Sequence, residues 1–360
     1  MRKKKFFFNI ILCFFEIFYK IGFLVVIFFK KKFGSSKIFP FRVISVGNLS
    51  VGGTGKSVFV FYLINNLKRF NCAVVLRGYK GQNEKNLSSF LVCDGKNIFC
   101  EAFFCGDEAY MFAYMLNVPV VVGSSRLKSC NLLEKFIFND DKKIDVVVLD
   151  DAYQNFHVKK DCQILLLDAK FPFSNGHCLP AGRLREKNYS RADFIILTRA
   201  DRVNLEVLNK IKTEMLCDFD QQSIFFAKHK IGNVSRLNLH NIDHEKIKGK
   251  KFFVVAAIAS FEYFVESVKK LGVSLFDVKE YRDHYNYKIK DIIFCLEVVK
   301  NNQLDGIITT QKDWVKIFPV IRKMSGWENF PFYILDVSFE FLSKKEHDFF
   351  LKKLEEKLKQ

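Results

Sequence analysis

The chain has 360 residues, 49% of them hydrophobic, which is enough for two packed domains. Its formal net charge of +18 would suit a nucleic-acid-binding protein, but no stacking platform or RNA-binding motif accompanies the charge, so we expect no nucleic acid among its partners. The ten cysteines form no C-x-x-C pair, which argues against a zinc or thioredoxin-like site.

An apolar segment between two basic clusters begins the chain. Residues 6–29 are interrupted only by Asn9, Glu16 and Lys20, and residues 2–5 and 30–32 are all Lys or Arg. Such clusters are attracted to anionic lipid headgroups. The segment is long enough to span a bilayer, but pairing of Glu16 with Lys20 on one helix face equally suits a helix lying in the interface. We expect residues 1–33 to form a membrane-associated helix; a first helix buried in the globular domain is the alternative.

The next pattern is a strand, a glycine-rich loop and a helix. Residues 42–46 predict a buried strand, and residues 58–70 have helical spacing of apolar side chains. This context is typical of a P-loop, in which backbone N–H groups surround the phosphates of ATP, Lys56 reaches the β- and γ-phosphates, and the Ser57 hydroxyl can ligate Mg²⁺. The predicted nucleotide-binding residues are Gly52, Gly53, Thr54, Gly55, Lys56 and Ser57.

Two positions of this loop narrow the class of enzyme. The strict P-loop pattern has Gly where this chain has Ser50, but the Gly-Gly-Thr-Gly-Lys-Ser core is intact. Membrane-bound partitioning ATPases carry a second Lys one residue before the glycine pair, and this chain has Val51 there. The loop therefore favours other P-loop enzymes.

An apolar strand that ends in acid follows further along the chain. Residues 144–149 predict the strand, and Asp150 and Asp151 come directly after it. In the Walker B arrangement such a carboxylate holds Mg²⁺ directly or through water. Two adjacent surface acids are the alternative, but the P-loop upstream favours the metal site. Two later buried-strand patterns, in DCQILLLDA and ADFIILTRAD, predict a largely parallel sheet.

Short blocks with polar residues lie before and after the acidic strand. They include LRGY, GDE, VVVGSSR, LPAGRLRE, DHYNY and TTQKDWVK. Taken singly, Asp107 and Glu108 of GDE are ordinary first-turn acids of a helix. As an ordered set from residue 45 to residue 316, the blocks resemble the tetraacyldisaccharide 4′-kinases, the lipid A kinases of Gram-negative bacteria.

The resemblance implies phosphorylation by ATP of the 4′-hydroxyl of a tetraacylated glucosamine disaccharide 1-phosphate, a lipid A disaccharide precursor, at the cytoplasmic face of the bacterial inner membrane. It makes Asp107 the catalytic base and His284 of DHYNY its partner. The metal shell that it implies comprises Ser57, Asp150, Asp151, Gln154 and Glu186. The residues that it implies for contacts with substrate or phosphate are Arg77, Glu108, Arg126 and Arg185.

Three departures from the family pattern remove no reacting group. Residues 256–261 contain neither the Gly nor the Pro that members commonly carry in this turn. Val58 replaces the usual Pro after the P-loop, and Tyr153 replaces the usual Phe. We therefore expect the backbone of the turn to differ while the chemistry is retained.

The predicted fold class is α/β: a P-loop NTPase-type, doubly wound, mostly parallel sheet, with a second smaller α/β domain and the N-terminal helix. The expected domains are 34–215 and 250–360, joined by a linker at 216–249, for which a hairpin is one option. Asp107 and His284 would then meet across a cleft that closes on ATP. We expect a monomer. The alternatives are a membrane-anchored P-loop ATPase or kinase with a soluble substrate, and a nucleotide-binding module without activity.

Overall fold

A computed structural model describes residues 2–33, 36–78, 88–139, 143–216, 223–237 and 241–359. Tyr79 of the LRGY block lies outside the described residues. The helices are α1 Arg2–Phe33, α2 Lys56–Asn66, α3 Ala102–Cys105, α4 Asp107–Met115, α5 Arg126–Asn139, α6 Leu205–Leu216, α7 Phe261–Lys269, α8 Ile289–Asn301, α9 Gln311–Ile321 and α10 Lys344–Lys359. The strands are β1 Arg42–Gly47, β2 Cys72–Leu76, β3 Phe90–Asp94, β4 Pro119–Val122, β5 Val146–Asp150, β6 Cys162–Asp168, β7 Phe194–Thr198, β8 Ile224–Arg236, β9 Asn241–Ile242, β10 Lys251–Ala256, β11 Ser274–Glu280, β12 Gly306–Thr310 and β13 Phe332–Phe341.

The strands of the described residues form one sheet in the order β11-β10-β12-β13-β8-β7-β6-β1-β5-β2-β4-β3, with β9 paired to β8. Its pairs are parallel except at β3–β4, β8–β13 and β8–β9. Strand β1 lies between β5 and β6, and Val46 is opposite Asp150. The glycine-rich loop and the acidic pair therefore leave the sheet at the same edge. The expected α/β class with a mostly parallel sheet is confirmed.

In the second half of the chain, parallel strands again bring the loops that follow them to one edge of the sheet. Strands β11, β10 and β12 are parallel neighbours. Because the carboxyl ends of parallel strands lie at one edge, residues 281–288 after β11, residues 257–260 after β10 and the start of α9 after β12 lie together. Three separate chain segments thus converge on one side of the cleft.

The two halves share strand β8, which lies within the predicted linker. It pairs in parallel with β7 and antiparallel with β13, and β9 turns back beside it. The last helix, α10, also crosses the predicted boundary, because Phe350 and Leu354 are buried in the core with Phe59 of α2. By sequence, α10 belongs to the second predicted domain, but it packs in the core of the first half. The domain limits stay a prediction.

Helix α1 is mostly exposed, with one buried charge. Within it Ile11–Phe29 has a mean hydropathy of 2.3 and is only 6% buried, so by length and composition it can cross a membrane and it is not a buried core helix. Glu16 is 3% exposed. It pairs with Lys20 at 2.6 Å, as its spacing suggested, and accepts a hydrogen bond from the backbone N–H of Cys178 at 2.9 Å. The charge that interrupts the apolar run therefore attaches α1 to the globular part.

Candidate active site

The glycine-rich loop connects β1 to α2, which begins at Lys56. Gly52 and Gly55 have φ angles of 133° and 83°, a region that residues with a side chain rarely adopt. A Cβ atom on Gly55 would also lie 2.3 Å from Nε2 of His229 on β8. The loop and the start of α2 line a cavity, and a glycine-rich loop before a helix start suits an anion.

Side chains from other elements hold this loop in place. The Nδ2 group of Asn48 donates to Oγ1 of Thr54 at 3.2 Å, and the hydroxyl of Thr198 donates to the Thr54 carbonyl at 3.2 Å. Arg199 donates to the carbonyl of Gly53 at 2.8 Å. Residues at the ends of β1 and β7 therefore hold the loop in place.

Lys56 points towards the acidic pair at the end of β5. Its Nζ atom lies 3.4 Å from Oδ1 of Asp151, and Nη1 of Arg185 lies 2.9 Å from the same oxygen. Burial raises the pKa of Asp151, but Lys56 and Arg185 outweigh burial and lower this pKa to about 2. Asp151 has a φ of 48°, a strained conformation that neighbouring contacts must maintain. A carboxylate between two cations is the result.

Asp150 has a different environment, which fits a cation. It is buried, and its Oδ1 atom has no hydrogen-bond partner among the described residues. Burial and the nearby charge of Glu108 raise its pKa to about 7. Glu108 accepts a hydrogen bond from the Ser57 hydroxyl at 3.0 Å. These oxygens are the donor type that Mg²⁺ prefers, and a divalent cation would relieve the repulsion between the two acids.

Gln154 and Glu186 form a layer next to this site. Nε2 of Gln154 donates to Oε1 of Glu186 and to the carbonyl of Asn48, both at 3.0 Å. Glu186 is buried and pairs with Arg191 at 2.8 Å. Gln154 also accepts a hydrogen bond from Nη1 of Arg185 at 3.3 Å, so this layer reaches the side chain that pairs with Asp151. The place of Gln154 and Glu186 in the metal shell stays a prediction, and Arg191 was not predicted from the sequence.

Two arginines assigned to phosphate or substrate differ in exposure. Arg126 is 4% exposed, and its guanidinium donates to the carbonyls of Gly123 at 3.1 Å and Asp150 at 2.6 Å. Arg126 therefore holds the backbone at the end of β5, where Asp150 lies. Arg77 follows β2 and is exposed. The expected phosphate contacts of both arginines stay predictions.

Asp107 and His284 meet across the cleft, although 177 positions separate them. Asp107 is the first residue of α4, and its Oδ2 atom lies 3.1 Å from Nδ1 of His284. Both side chains are 12% exposed. Burial raises the pKa of Asp107, but the hydrogen bond with His284 and the charge of Lys316 outweigh it and hold this pKa below its ordinary value. Asp107 is therefore an ionised, oriented carboxylate at neutral pH.

Two lysines of α9 complete the surroundings of this pair. Lys316 is 4% exposed, with Nζ 3.5 Å from Oδ2 of Asp107. Lys312 Nζ lies 3.3 Å from Nε2 of His284 and 3.8 Å from Oε1 of Glu108. Both belong to the TTQKDWVK block, but neither was predicted from the sequence as a site residue. Their i, i+4 spacing at the start of a helix after a buried strand was the available signal.

A cavity of about 480 Å³ lies between the two halves. Its first wall is the glycine-rich loop and the start of α2, and Glu108 adjoins them. Its second wall includes residues 258–260 and Lys312. The turn that lacks the family's Gly and Pro therefore faces the cavity, with Ala259 3.9 Å from the position of a Cβ on Gly53.

The model of the family described as Tetraacyldisaccharide-1-P 4'-kinase matches residues 8–358. The chain belongs to this family. Curated relatives named Tetraacyldisaccharide 4'-kinase agree: one from Halothermothrix orenii is 33% identical over 82% of this chain and 79% of its own length, and one from Desulfatibacillum aliphaticivorans is 33% identical over 90% and 86%.

A solved kinase structure has the same architecture. The crystal structure of LpxK from Aquifex aeolicus, an "apo" form in complex with ATP, superposes with a TM-score of 0.73 at 26% identity. The match covers 96% of this chain and 97% of that chain. The resemblance to the tetraacyldisaccharide 4′-kinases, and with it a kinase on a P-loop α/β fold, is therefore confirmed.

Proposed function

We propose that the chain transfers the γ-phosphate of ATP to the 4′-hydroxyl of a tetraacylated glucosamine disaccharide 1-phosphate. The observation that carries the proposal is the Asp107–His284 hydrogen bond beside a P-loop. Membership of the kinase family supports the lipid acceptor, and similarity to a kinase structure with ATP supports the donor.

The reaction needs a base, an aligned phosphate and neutralisation of charge. In the proposed step the acceptor oxygen bonds to the γ-phosphorus, while its proton passes to the carboxylate of Asp107. The bond from the γ-phosphorus to the bridging oxygen breaks, and its electron pair leaves on ADP. His284 keeps the carboxylate oriented, and Lys56 stabilises charge on the phosphates. General-base assistance contributes about 10²- to 10⁴-fold, so positioning and charge neutralisation supply the remainder.

Magnesium is the metal that the proposed site would take. Ser57, Asp150 and Glu108 would hold it, with Asp151, Gln154 and Glu186 beside them. When bound, Mg²⁺ supplies charge neutralisation on the phosphates. The unpartnered oxygen of buried Asp150 supports this assignment.

We place the enzyme at the cytoplasmic face of the bacterial inner membrane, as a monomer on anionic lipid. The exposed apolar stretch Ile11–Phe29 supports membrane contact. The Lys and Arg residues at 2–5 and 30–32 support attraction to anionic headgroups. Whether α1 spans the bilayer or lies on it, the globular part would stay at the surface where the lipid headgroup is presented.

The test is transfer of label from γ-³²P-ATP to a disaccharide monophosphate lipid in detergent micelles. We expect label in the lipid with the unchanged chain and severe loss with Asp107→Ala, which should still bind ATP. The alternative, an ATPase or kinase with a soluble substrate, predicts phosphate release without lipid that survives His284→Ala. No transfer by a folded protein that binds ATP would overturn the proposal.

A further inference from the structure

Lys312 occupies an unfavourable place for a positive charge. It is the second residue of α9, and the positive end of the helix dipole at this N-terminus disfavours a cation. The helix start is fixed, because Asp313 accepts hydrogen bonds from the Thr310 hydroxyl at 2.7 Å and the Ala257 N–H at 3.0 Å. The rigid backbone therefore holds this lysine at the cavity despite the dipole.

The surroundings of the Lys312 ammonium lead from the catalytic pair to the P-loop. Nζ contacts Nε2 of His284 at 3.3 Å and lies between two carboxylates, 3.7 Å from Oδ1 of Asp283 and 3.8 Å from Oε1 of Glu108. The same Oε1 atom accepts the hydroxyl of Ser57 at 3.0 Å. The Lys312 ammonium and the Ser57 hydroxyl of the P-loop therefore both lie beside one carboxylate oxygen of Glu108. Lys312 is 21% exposed, and it lines the cavity with the glycine-rich loop.

The contact with Lys312 also defines the tautomer of His284. An ammonium group has three donors and no acceptor, so Nε2 must be the unprotonated, accepting nitrogen. The ring proton is then on Nδ1, which donates to Asp107. The imidazole thus orients the carboxylate, and Asp107 is the group left to accept the proton of the substrate.

We propose that Lys312 is a catalytic residue whose ammonium donates to a non-bridging γ-phosphate oxygen of ATP from the side opposite Lys56. The inference rests on the proposed function and adds to it a cation from the second half of the chain. Lys312 remains protonated throughout. As the acceptor oxygen bonds to the γ-phosphorus and the bond to ADP breaks, the ammonium stabilises the charge on the transferring group.

The test compares Lys312→Ala and Lys312→Arg with the unchanged chain in the label-transfer assay. We expect kcat to fall about 10²- to 10³-fold in Lys312→Ala, as for loss of a single transition-state donor, with the Kd of ATP changed much less. Lys312→Arg should recover part of kcat because it keeps the charge. The matched control is Lys323→Ala, an exposed lysine just beyond α9, which should leave kcat unchanged.

A double-mutant cycle with His284→Ala separates a catalytic role from a positioning role. If Lys312 acts on the phosphate, its removal costs a similar factor in kcat with or without His284. If it acts only through His284, its removal costs nothing further in the His284→Ala background, and the proposal is overturned. Near-normal kcat of Lys312→Ala also overturns it. No transfer by the unchanged chain would instead contradict the proposed function.

Discussion

The charged groups next to the two walls of the cavity pair in different ways. Next to the P-loop wall, the Asp151 carboxylate pairs with both Lys56 and Arg185. Next to the second wall, His284 and Lys316 contact their carboxylate partner, Asp107, across the cleft. The first set of charges therefore pairs within the first half of the chain, while the second set orients Asp107, the proposed base. Changes to the second set should affect transfer more than ATP binding.

The largest expected effect comes from Asp107, the carboxylate of the first half that contacts His284 and Lys316 of the second half. Asp107→Asn keeps the shape but removes the proton acceptor, so kcat should fall about 10²- to 10⁴-fold. The Kd of ATP, measured by calorimetry, should stay within about twofold of the original value, because the P-loop contacts do not include Asp107. A large loss of ATP affinity would show that the two walls are not independent.

His284→Ala should have a smaller effect on kcat. It removes one hydrogen bond to an ionised carboxylate, worth about 1.5–3 kcal/mol, which corresponds to roughly 10- to 100-fold in rate. Steady-state kinetics at saturating ATP and lipid measure this loss. The companion variant His284→Gln retains a donor and should recover part of it. Equal loss in both variants would contradict an orienting role.

Lys316→Met should change the pH dependence of the reaction. The charge of Lys316 helps to lower the pKa of Asp107, so its removal raises this pKa. A base must be ionised, and the acidic limb of the kcat/KM profile should therefore move to higher pH. The loss of activity should be modest at pH 8 and grow as the pH falls. Lys316→Arg, which keeps the charge, should keep the original limb; a shift in both variants would contradict this explanation.

The smallest expected effect concerns the attachment of α1 to the globular part, near residues 178–185. Glu16 accepts the N–H of Cys178, and the hydroxyl of Tyr19 donates to the Arg185 carbonyl at 3.1 Å. Glu16→Gln weakens the first contact and should lower the free energy of unfolding by about 1 kcal/mol, measured by urea in detergent. Ile17→Val, at an exposed position of the same helix, is the control. Equal stability of Glu16→Gln and the original chain would show that the attachment is not stabilising.

Much of the fold could be predicted from the sequence, because its signals are local. The predicted strand at 42–46 lies within β1, and the predicted strand at 144–149 overlaps β5. Strand β8 was harder, since its polar positions suggested a linker. Its partners, β7 and β13, are distant in sequence, and pairing with them makes it a strand.

The sequence by itself determined the α/β class, the phosphate loop, the acidic strand and the family, because each depends on residues within one short segment or on their order. Only the tertiary structure decided that buried Asp150 has a carboxylate oxygen without a hydrogen-bond partner among the described residues, and that Glu16 is buried. It also decided that Lys312 and Lys316 lie beside the Asp107–His284 pair. The physical reason is that burial and Coulomb interactions depend on distance in space. Spacing along the chain indicates such distances only within a helix turn or a strand.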